Sequence, residues 1–180
     1  ITASGYWAPG FYPLMGTFDG NNKQITGLKI KANESSPRRG YFIGMFCDVY
    51  GTIKNLKLLN TSITVSGNTT FYVGTLAGRV TSGAKLSNCK ISATSGNTSS
   101  VSITGTSEKI IVGGLAAYNK GVIEKCRFNG KIYTSTNGDC DAGGLVGYNH
   151  SGKIYTSWVH GNLDINSSGG SCYFNVGGLV

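Results

Sequence analysis

The chain has 180 residues, enough for one domain, and 39% of them are hydrophobic, which excludes simple disorder and allows a core. Glycine is abundant (28 residues), proline is scarce (3) and only 13% of the residues are charged. The net charge of +8 is spread along the chain rather than concentrated on one segment, so we expect no nucleic-acid partner, and no run is apolar and long enough to predict a membrane span.

The first residues lack the basic and apolar segments of a signal peptide. We interpret residues 1–15 as a lead-in segment and place the start of the repeating coils at Gly16. Because Val180 falls inside a repeat, we expect residues 1–180 to be one β-helix domain and a fragment of a longer chain.

A glycine-centred motif recurs along the chain. The clearest copies, at residues 111–119, 142–149 and 176–180, share Gly-Gly-Leu, whereas Met45 and Thr75 replace the second glycine in the earlier copies. The steps between the first glycines are 30, 39, 30 and 34 residues, for Gly44, Gly74, Gly113, Gly143 and Gly177. A period in this range is typical of a solenoid, in which each coil buries its apolar face against its neighbours.

Two kinds of strand-forming segment follow the motif. The first kind begins at a glycine and spaces its apolar residues three and then two apart, which indicates two short strands with a bend between them. It covers residues 51–58, 83–91, 121–128 and 152–159. The second kind alternates strictly and is rich in β-branched residues, as half-buried strands are. It covers residues 62–66, 100–104, 131–134 and 162–165.

These patterns predict an all-β fold, a single-stranded parallel β-helix of about five coils with three short strands each. Crossovers between parallel strands are right-handed by strong default, so we expect a right-handed solenoid. The longest glycine step has its excess at residues 92–107, which we predict to protrude as a loop. The glycine pairs at 113–114, 143–144 and 177–178 predict tight corners where backbones pack closely.

The same residues carry a resemblance to a known family. The segments 6–13 and 16–28, a tryptophan-proline stretch followed by Gly-Thr-Phe-Asp-Gly-Asn, resemble the opening of β-helical surface proteins. The repeated Gly-Gly-Leu-Val/Ala-Gly/Ala-Tyr-Asn followed by Gly-x-Ile is similar to the GLUG repeat of adhesin-like secreted proteins. The resemblance spans nearly the whole chain and implies a β-helical architecture and an extracellular setting. It implies no catalytic residues, because the motif is a folding motif.

Five cysteines offer two candidate disulfides. Cys89 and Cys126 occupy equivalent positions in adjacent repeats and should stack on a core-facing strand, either as buried thiols or as a disulfide. Cys140 and Cys172 fall in glycine-rich segments that we predict to be exposed corner loops, which makes them the better candidate pair. Cys47 is then left buried or paired outside this segment.

Six Asn-x-Ser/Thr sequons fall in predicted turns or strand ends, and we expect several to carry glycans if the source secretes through a glycosylating pathway. They are at Asn33, Asn60, Asn68, Asn97, Asn149 and Asn166.

The sequence offers few candidates for chemistry. Among the carboxylates only Asp139 and Asp141 are close in sequence, and we interpret them as solvated loop residues rather than as a calcium or catalytic pair. Neither His150 nor His160 has a nucleophile and an orienting partner near it, and no Cys/His spacing predicts a metal site. We therefore expect no catalytic residue and no cofactor.

The Tyr-Asn pairs 118–119 and 148–149 should stack in register as a ladder, and stacked tyrosines can bind sugars through their apolar faces. The ladder interpretation is the simpler of the two.

We predict a non-enzymatic protein of the cell surface or extracellular space, a rigid glycosylated β-helical rod or fibre segment. Its partners would be further copies of itself, or further coils of its own chain, at the ends of the helix. The alternative is a carbohydrate- or host-binding adhesin that uses the 92–107 loop or the tyrosine face to hold a polysaccharide or a cell-surface glycan. A third alternative, by analogy of fold, is a polysaccharide-degrading enzyme.

Overall fold

A computed structural model describes residues 13–33, 42–167 and 173–180. In these residues every strand pairing is parallel, and the strands stack coil upon coil into a β-solenoid that makes four complete turns and enters a fifth. The prediction of an all-β parallel β-helix is confirmed. Across the same ranges the structure has no helix with the length and hydropathy needed to cross a membrane.

The strands are numbered in chain order and grouped by coil. The first coil contains β1 (Thr17–Asp19), β2 (Gln24–Thr26), β3 (Lys29–Asn33), β4 (Phe42–Ile43) and β5 (Phe46–Val49). The second contains β6 (Thr52–Lys54), β7 (Lys57–Leu59), β8 (Ser62–Ser66), β9 (Phe71–Gly74) and β10 (Ala77–Val80). The third contains β11 (Lys85–Ser87), β12 (Lys90–Ser92), β13 (Ser100–Thr104), β14 (Lys109–Gly113) and β15 (Ala116–Asn119). The fourth contains β16 (Val122–Glu124), β17 (Arg127–Thr136), β18 (Asp139–Gly143) and β19 (Val146–Asn149), and the fifth contains β20 (Lys153–Tyr155), β21 (Trp158–Ser167) and β22 (Phe174–Gly177).

Four parallel sheets run along the solenoid. Sheet 1 contains β1, β6, β11, β16 and β20, and sheet 2 contains β2, β3, β7, β8, β12, β13, β17 and β21. Sheet 3 contains β4, β9, β14, β18 and β22, and sheet 4 contains β5, β10, β15 and β19. The segments predicted as strands all lie in sheets 1 and 2. The prediction of three strands per coil therefore omitted the strands of sheets 3 and 4, which lie on either side of the glycine motif.

In sheet 3, strands β14 and β18 were missed because they are buried on both faces. Ile110, Ile111 and Val112 in β14 are consecutive residues with exposures of 0%, 4% and 0%. Such a strand has no alternation of polar and apolar residues, which is the signal by which a half-buried strand is found.

The core consists of apolar columns that run from coil to coil. One column in sheet 1 joins Ile53, Leu86 and Ile123, which are in register and fully buried. Another in sheet 2 joins Val101 and Ile132, also fully buried, and continues to half-buried Leu163 in the fifth coil. Each side chain in a column is therefore covered by the coil on either side, which is how a solenoid obtains its stability.

Two corners of opposite chemistry turn each coil. The polar corner joins sheet 1 to sheet 2, and its residues have positive φ: Asn55 (56°), Asn88 (51°), Lys125 (54°) and Thr156 (47°). The glycine corner joins sheet 3 to sheet 4 at the recurring motif, and a Cβ added to Gly113 would lie 2.6 Å from the backbone nitrogen of Gly147 in the next coil. The prediction of tight glycine corners is confirmed.

The predicted loop over residues 92–107 is wrong in its extent. Residues 100–104 form β13, which pairs with β8 and β17 and buries Val101 and Ile103 completely. Residues 93–99 leave the sheet before β13, and residues 105–107 lie between β13 and β14. Residues 100–104 form a strand because their alternating apolar side chains join the buried columns of sheet 2. The additional residues of this coil lie before that strand.

Candidate functional site: an aromatic strip beside the glycine corner

Five rings form a continuous strip across sheets 3 and 4, which we call the aromatic strip: Phe42, Tyr72, Tyr118, Tyr148 and His150. Successive ring centroids are separated by 4.5 Å for Phe42–Tyr72, 6.3 Å for Tyr72–Tyr118 and 5.5 Å for Tyr118–Tyr148. The ring of His150 stacks on Tyr118 at 5.8 Å with an interplanar angle of 19°. These distances are in the range in which aromatic pairs attract each other.

The strand register places the rings. Phe42 in β4 pairs with Tyr72 in β9, and Tyr118 in β15 pairs with Tyr148 in β19, so each pair occupies one column in successive coils. The strip passes from sheet 3 to sheet 4 between Tyr72 and Tyr118. At this corner a Cβ on Gly74 would lie 2.6 Å from the Cα of Ala116, so the two sheets approach closely only because the corner carries no side chain there.

Two cations lie over the rings. The guanidinium carbon of Arg79 is 4.6 Å from the centroid of Phe42, and its Nε is 2.6 Å from Oδ1 of Asp48. The Nζ of Lys120, an exposed residue, is 5.7 Å from the centroid of Tyr118. Both distances fall within cation–π range. Rings and cations surround an open depression of about 380 Å³, lined by Phe42, Tyr50, Tyr72, Arg79, Thr81, Tyr118 and Lys120.

The predicted ladder is confirmed in this region. Tyr118 and Asn119 are in register with Tyr148 and Asn149. The Nδ2 of Asn119 donates to Oδ1 of Asn149 at 2.8 Å, and Nδ2 of Asn149 donates to the carbonyl oxygen of Gly152 at 2.9 Å. The ladder links β15 and β19, the two strands that carry the tyrosines.

Phe42, Tyr72 and Arg79 were not predicted from the sequence to belong to this surface. A signal was present, since Phe42 and Tyr72 each stand two residues before the first glycine of their motif, at Gly44 and Gly74. Residues at that offset fall in one column of sheet 3.

The two candidate acidic residues, Asp139 and Asp141, lie in strand β18 rather than in a loop, which corrects their predicted setting. Asp141 is 7% exposed, and its carboxylate accepts from Nδ2 of Asn175 at 2.7 Å and pairs with Nζ of Lys109 at 3.0 Å. This hydrogen bond with Asp141 raises the pKa of Lys109. Oδ1 of Asp139 accepts from the backbone N–H of Tyr173 at 3.0 Å. Both carboxylates thus hold one coil to its neighbours.

Other carboxylates bridge coils in the same way. Oδ2 of Asp19 is 3.3 Å from Nζ of Lys54, and its Oδ1 accepts from the backbone N–H of Asn21, which lowers the pKa of Asp19. Oε1 of Glu124 is 2.8 Å from Nζ of Lys85, and this bond lowers the pKa of Glu124. Within residues 13–33, 42–167 and 173–180, no three His, Cys, Asp or Glu side chains gather as a metal site would require.

The second histidine lies elsewhere. His160 lines a smaller open depression of about 220 Å³ beside the 93–99 loop, together with Asn97, Lys131 and Asn162. The lining contains no Phe, Tyr or Trp ring. The structure therefore separates the two histidines, and only His150 joins the aromatic strip.

Cys89 and Cys126 stack in the core, as predicted, with exposures of 1% and 0%. Both are free thiols in this structure, and the backbone N–H of Cys89 donates to Sγ of Cys126 at 3.4 Å. The hydrogen bond between the two thiols raises the pKa of Cys126 and lowers that of Cys89. Burial raises the pKa of Cys47 to about 11.

The environment predicted for Cys140 is wrong. Cys140 lies in strand β18 with an exposure of 0%. The glycines near it suggested a loop, but sheet 3 continues through this segment. Its register partner in the next coil is Phe174. Cys172 lies outside the described residues, so the Cys140–Cys172 disulfide stays a prediction.

The sequon asparagines differ in their exposure. Asn33, Asn68, Asn97 and Asn166 are exposed, whereas Asn60 and Asn149 are half-buried. Side-chain hydrogen bonds do not separate the two groups, because Asn97 and Asn166 donate to Thr94 and Asp164 much as Asn60 donates to Thr94. Exposure therefore favours the four exposed positions. Glycosylation itself stays a prediction.

Comparisons with family models, curated proteins and solved structures gave no match to this chain. The likeness to the GLUG repeat therefore stays a resemblance carried by the motif alone.

Proposed function

We propose that this chain is a non-enzymatic structural protein of the cell surface or extracellular space, a stiff segment of a β-helical rod. The observation that supports this proposal best is that polar side chains bond from coil to coil at several sides of the solenoid. Asp48 binds Arg79, Glu124 binds Lys85 and Asp141 binds Lys109, each across one coil step. Carboxylates committed to neighbouring coils resist bending and twisting between coils.

Asparagine ladders add to this rigidity. At the polar corner Nδ2 of Asn88 donates to Oδ1 of Asn55 at 2.9 Å, and Nδ2 of Asn55 donates to Oδ1 of Asp19 at 3.1 Å. Side-chain ladders that run along the axis are a feature of highly stable stacked sheets. The ladder spans the first three coils, and the Asn119–Asn149 ladder continues on another side.

An extracellular location is supported by the positions of the sequons. Asn68 and Asn97 are exposed turn residues, which is where glycans are accommodated without displacing the core. These positions fit a rod that carries glycans on its outer surface.

Self-association at the rod end is the partner interaction that we propose. The outer edge of β21 pairs with no strand among the described residues. The core column that contains Val101 and Ile132 ends on this strand at half-buried Leu163. An unpaired edge is a template for another strand. A further coil, from the same polypeptide or from a second copy, would pair with this edge and cover Leu163.

Electron microscopy of the chain at increasing concentration tests this proposal. We expect filaments with a regular axial repeat, and we expect Leu163→Lys to shorten them because a joining coil would have to bury the charge. Tyr133→Lys is the matched control, since Tyr133 is exposed on β17, which already pairs with β13 and β21, and should leave the filaments intact. Circular dichroism verifies that both variants keep their sheet content. Discrete short rods at every concentration would contradict the fibre proposal.

A second candidate function, a carbohydrate-binding adhesin module, is favoured by one observation. The aromatic strip is a row of partly exposed rings beside an open depression, and nothing in the core requires aromatic residues at these outward positions. Saturable binding of a glycan by monomeric chain would support it, and absence of binding to any glycan tested would contradict it.

A further inference from the structure

We infer that the aromatic strip, with Arg79 and Lys120, binds an acidic polysaccharide that lies along the solenoid axis. The inference rests on the second candidate function, carbohydrate binding, and adds the site, the orientation and the charge of the ligand.

The rings supply a stacking surface with the right spacing. Tyr118 and Tyr148 are one coil apart in register, with centroids separated by 5.5 Å, and Phe42 and Tyr72 are likewise one coil apart with centroids separated by 4.5 Å. Coils repeat at ~4.8 Å, close to the length of one pyranose unit in an extended polysaccharide. Because rings this close overlap one another, successive sugars on one chain would pack their C–H-rich faces against the parts of the rings that stay exposed.

The rings are accessible to such a chain. Phe42, Tyr72 and Tyr118 are half-buried, which leaves part of each ring facing the depression, and Tyr148 is 43% exposed. A ring held by its neighbours loses little conformational entropy when a sugar stacks on it, so a preformed strip binds better than a flexible one.

Charge selects among sugars. Arg79 and Lys120 line the depression, and Arg79 is paired with the carboxylate of Asp48, so the positive charge that remains there is that of Lys120. The positive charge of Lys120 is exposed and lies above Tyr118, where it can meet a carboxylate carried by a sugar that packs against the exposed part of this ring. The net charge of +8 adds a long-range attraction for polyanions.

The depression beside His160 is a weaker candidate. It offers Lys131 and several amides but no ring on which a sugar could stack. The aromatic strip offers both aromatic rings and positive charge, so it is the better site for an acidic polysaccharide.

Isothermal titration calorimetry with a defined oligogalacturonate, and with the same oligomer fully methyl-esterified, tests the two parts of the inference separately. The ester keeps the sugar faces and removes the charge. We expect the acid to bind more tightly than the ester at low salt, and the difference to shrink at 0.5 M salt, where charges are screened within ~5 Å.

Two variants locate the site. Tyr118→Ala should weaken binding of both oligomers about tenfold through loss of stacking. Tyr133→Ala is its matched control, because Tyr133 is an exposed tyrosine of the next coil on sheet 2. Lys120→Gln should weaken binding of the acid alone, about twofold to fivefold at low salt, whereas Lys31→Gln, at an exposed lysine of β3, should not.

Each result has a distinct meaning. If the ester binds as tightly as the acid, the charge inference is wrong while carbohydrate binding stands. If neither oligomer binds, both the inference and the adhesin candidate fail. The rod proposal does not depend on this result, because electron microscopy tests it separately. If Tyr118→Ala weakens binding no more than Tyr133→Ala does, the ligand binds elsewhere and the inference is overturned. Lys120 is exposed, so its variant keeps the test valid even if Tyr118→Ala unfolds the chain.

Discussion

The glycine corner and the polar corner turn the same chain through the same coils, yet they constrain the sequence very differently. At the glycine corner the first glycine is present in every copy of the motif, from Gly44 to Gly177. At the polar corner the equivalent residue is asparagine in two coils, then lysine at Lys125 and threonine at Thr156. The first corner repeats strictly and the second does not.

The difference lies in the kind of cost that a wrong residue brings. At Gly74, Gly113 and Gly143 an added Cβ would overlap backbone atoms of the neighbouring strand or coil, and backbone cannot move aside. At the polar corner the side chains of Lys125 and Thr156 are exposed, and their cost is that of left-handed φ, about 1–2 kcal/mol for a residue other than glycine or asparagine. A steric requirement excludes every side chain, whereas a conformational cost can be borne.

Replacing Gly113 by alanine should produce the largest effect. The new Cβ would lie 2.6 Å from the backbone nitrogen of Gly147 and would overlap the carbonyl oxygen of Ala116. We expect the free energy of unfolding to fall by about 3 kcal/mol or more, as for severe overpacking, measured by urea denaturation followed by circular dichroism.

Gly16→Ala is the control for that variant. No heavy atom lies within 4 Å of a Cβ built on Gly16. Its free energy of unfolding should change by less than about 0.5 kcal/mol. Equal effects of the two substitutions would show that the glycine corner is not sterically closed.

Lys125→Asn should have a smaller effect of opposite sign. Lys125 has φ of 54° and stands in the coil after Asn88, so asparagine would relieve left-handed strain and extend the ladder of Asn55 and Asn88. We expect stabilisation by about 0.5–1 kcal/mol, read as an increase in the urea midpoint. Lys23→Asn, at a turn position without positive φ in the first coil, should give no increase. Destabilisation by Lys125→Asn would mean that the lysine has a role that the ladder does not explain.

The glycine motif is also the reason why much of the fold could be predicted from sequence. Its period predicts a solenoid, and alternation at residues 62–66 and 100–104 predicts β8 and β13, which the structure has over the same residues. Strands β14 and β18 were not predicted, because burial on both faces removes the alternation of polar and apolar residues, as at Ile110 and Ile111. The same cause misplaced Cys140, whose strand reads as a glycine-rich loop.

The aromatic strip shows a second limit. Tyr118 and Tyr148 could be paired from the sequence because both precede an asparagine in well-matched copies of the motif. Phe42 and Tyr72 belong to looser copies, and Arg79 joins them only because sheets 3 and 4 meet at the glycine corner. Contacts between sheets depend on the angle of a corner, which no local pattern of residues specifies.

Hydrogen exchange on the monomeric 180-residue chain tests most directly the claim that coils are stabilised by the coils on either side of them. Ile132 is fully buried between Val101 and Leu163 in the same column, whereas Leu163 in the fifth coil is only half-buried. The account predicts that amides of β13 and β17 exchange only through global unfolding, and that amides of β21 exchange markedly faster. Protection as strong in β21 as in β13, or fast exchange throughout the middle coils, would contradict it.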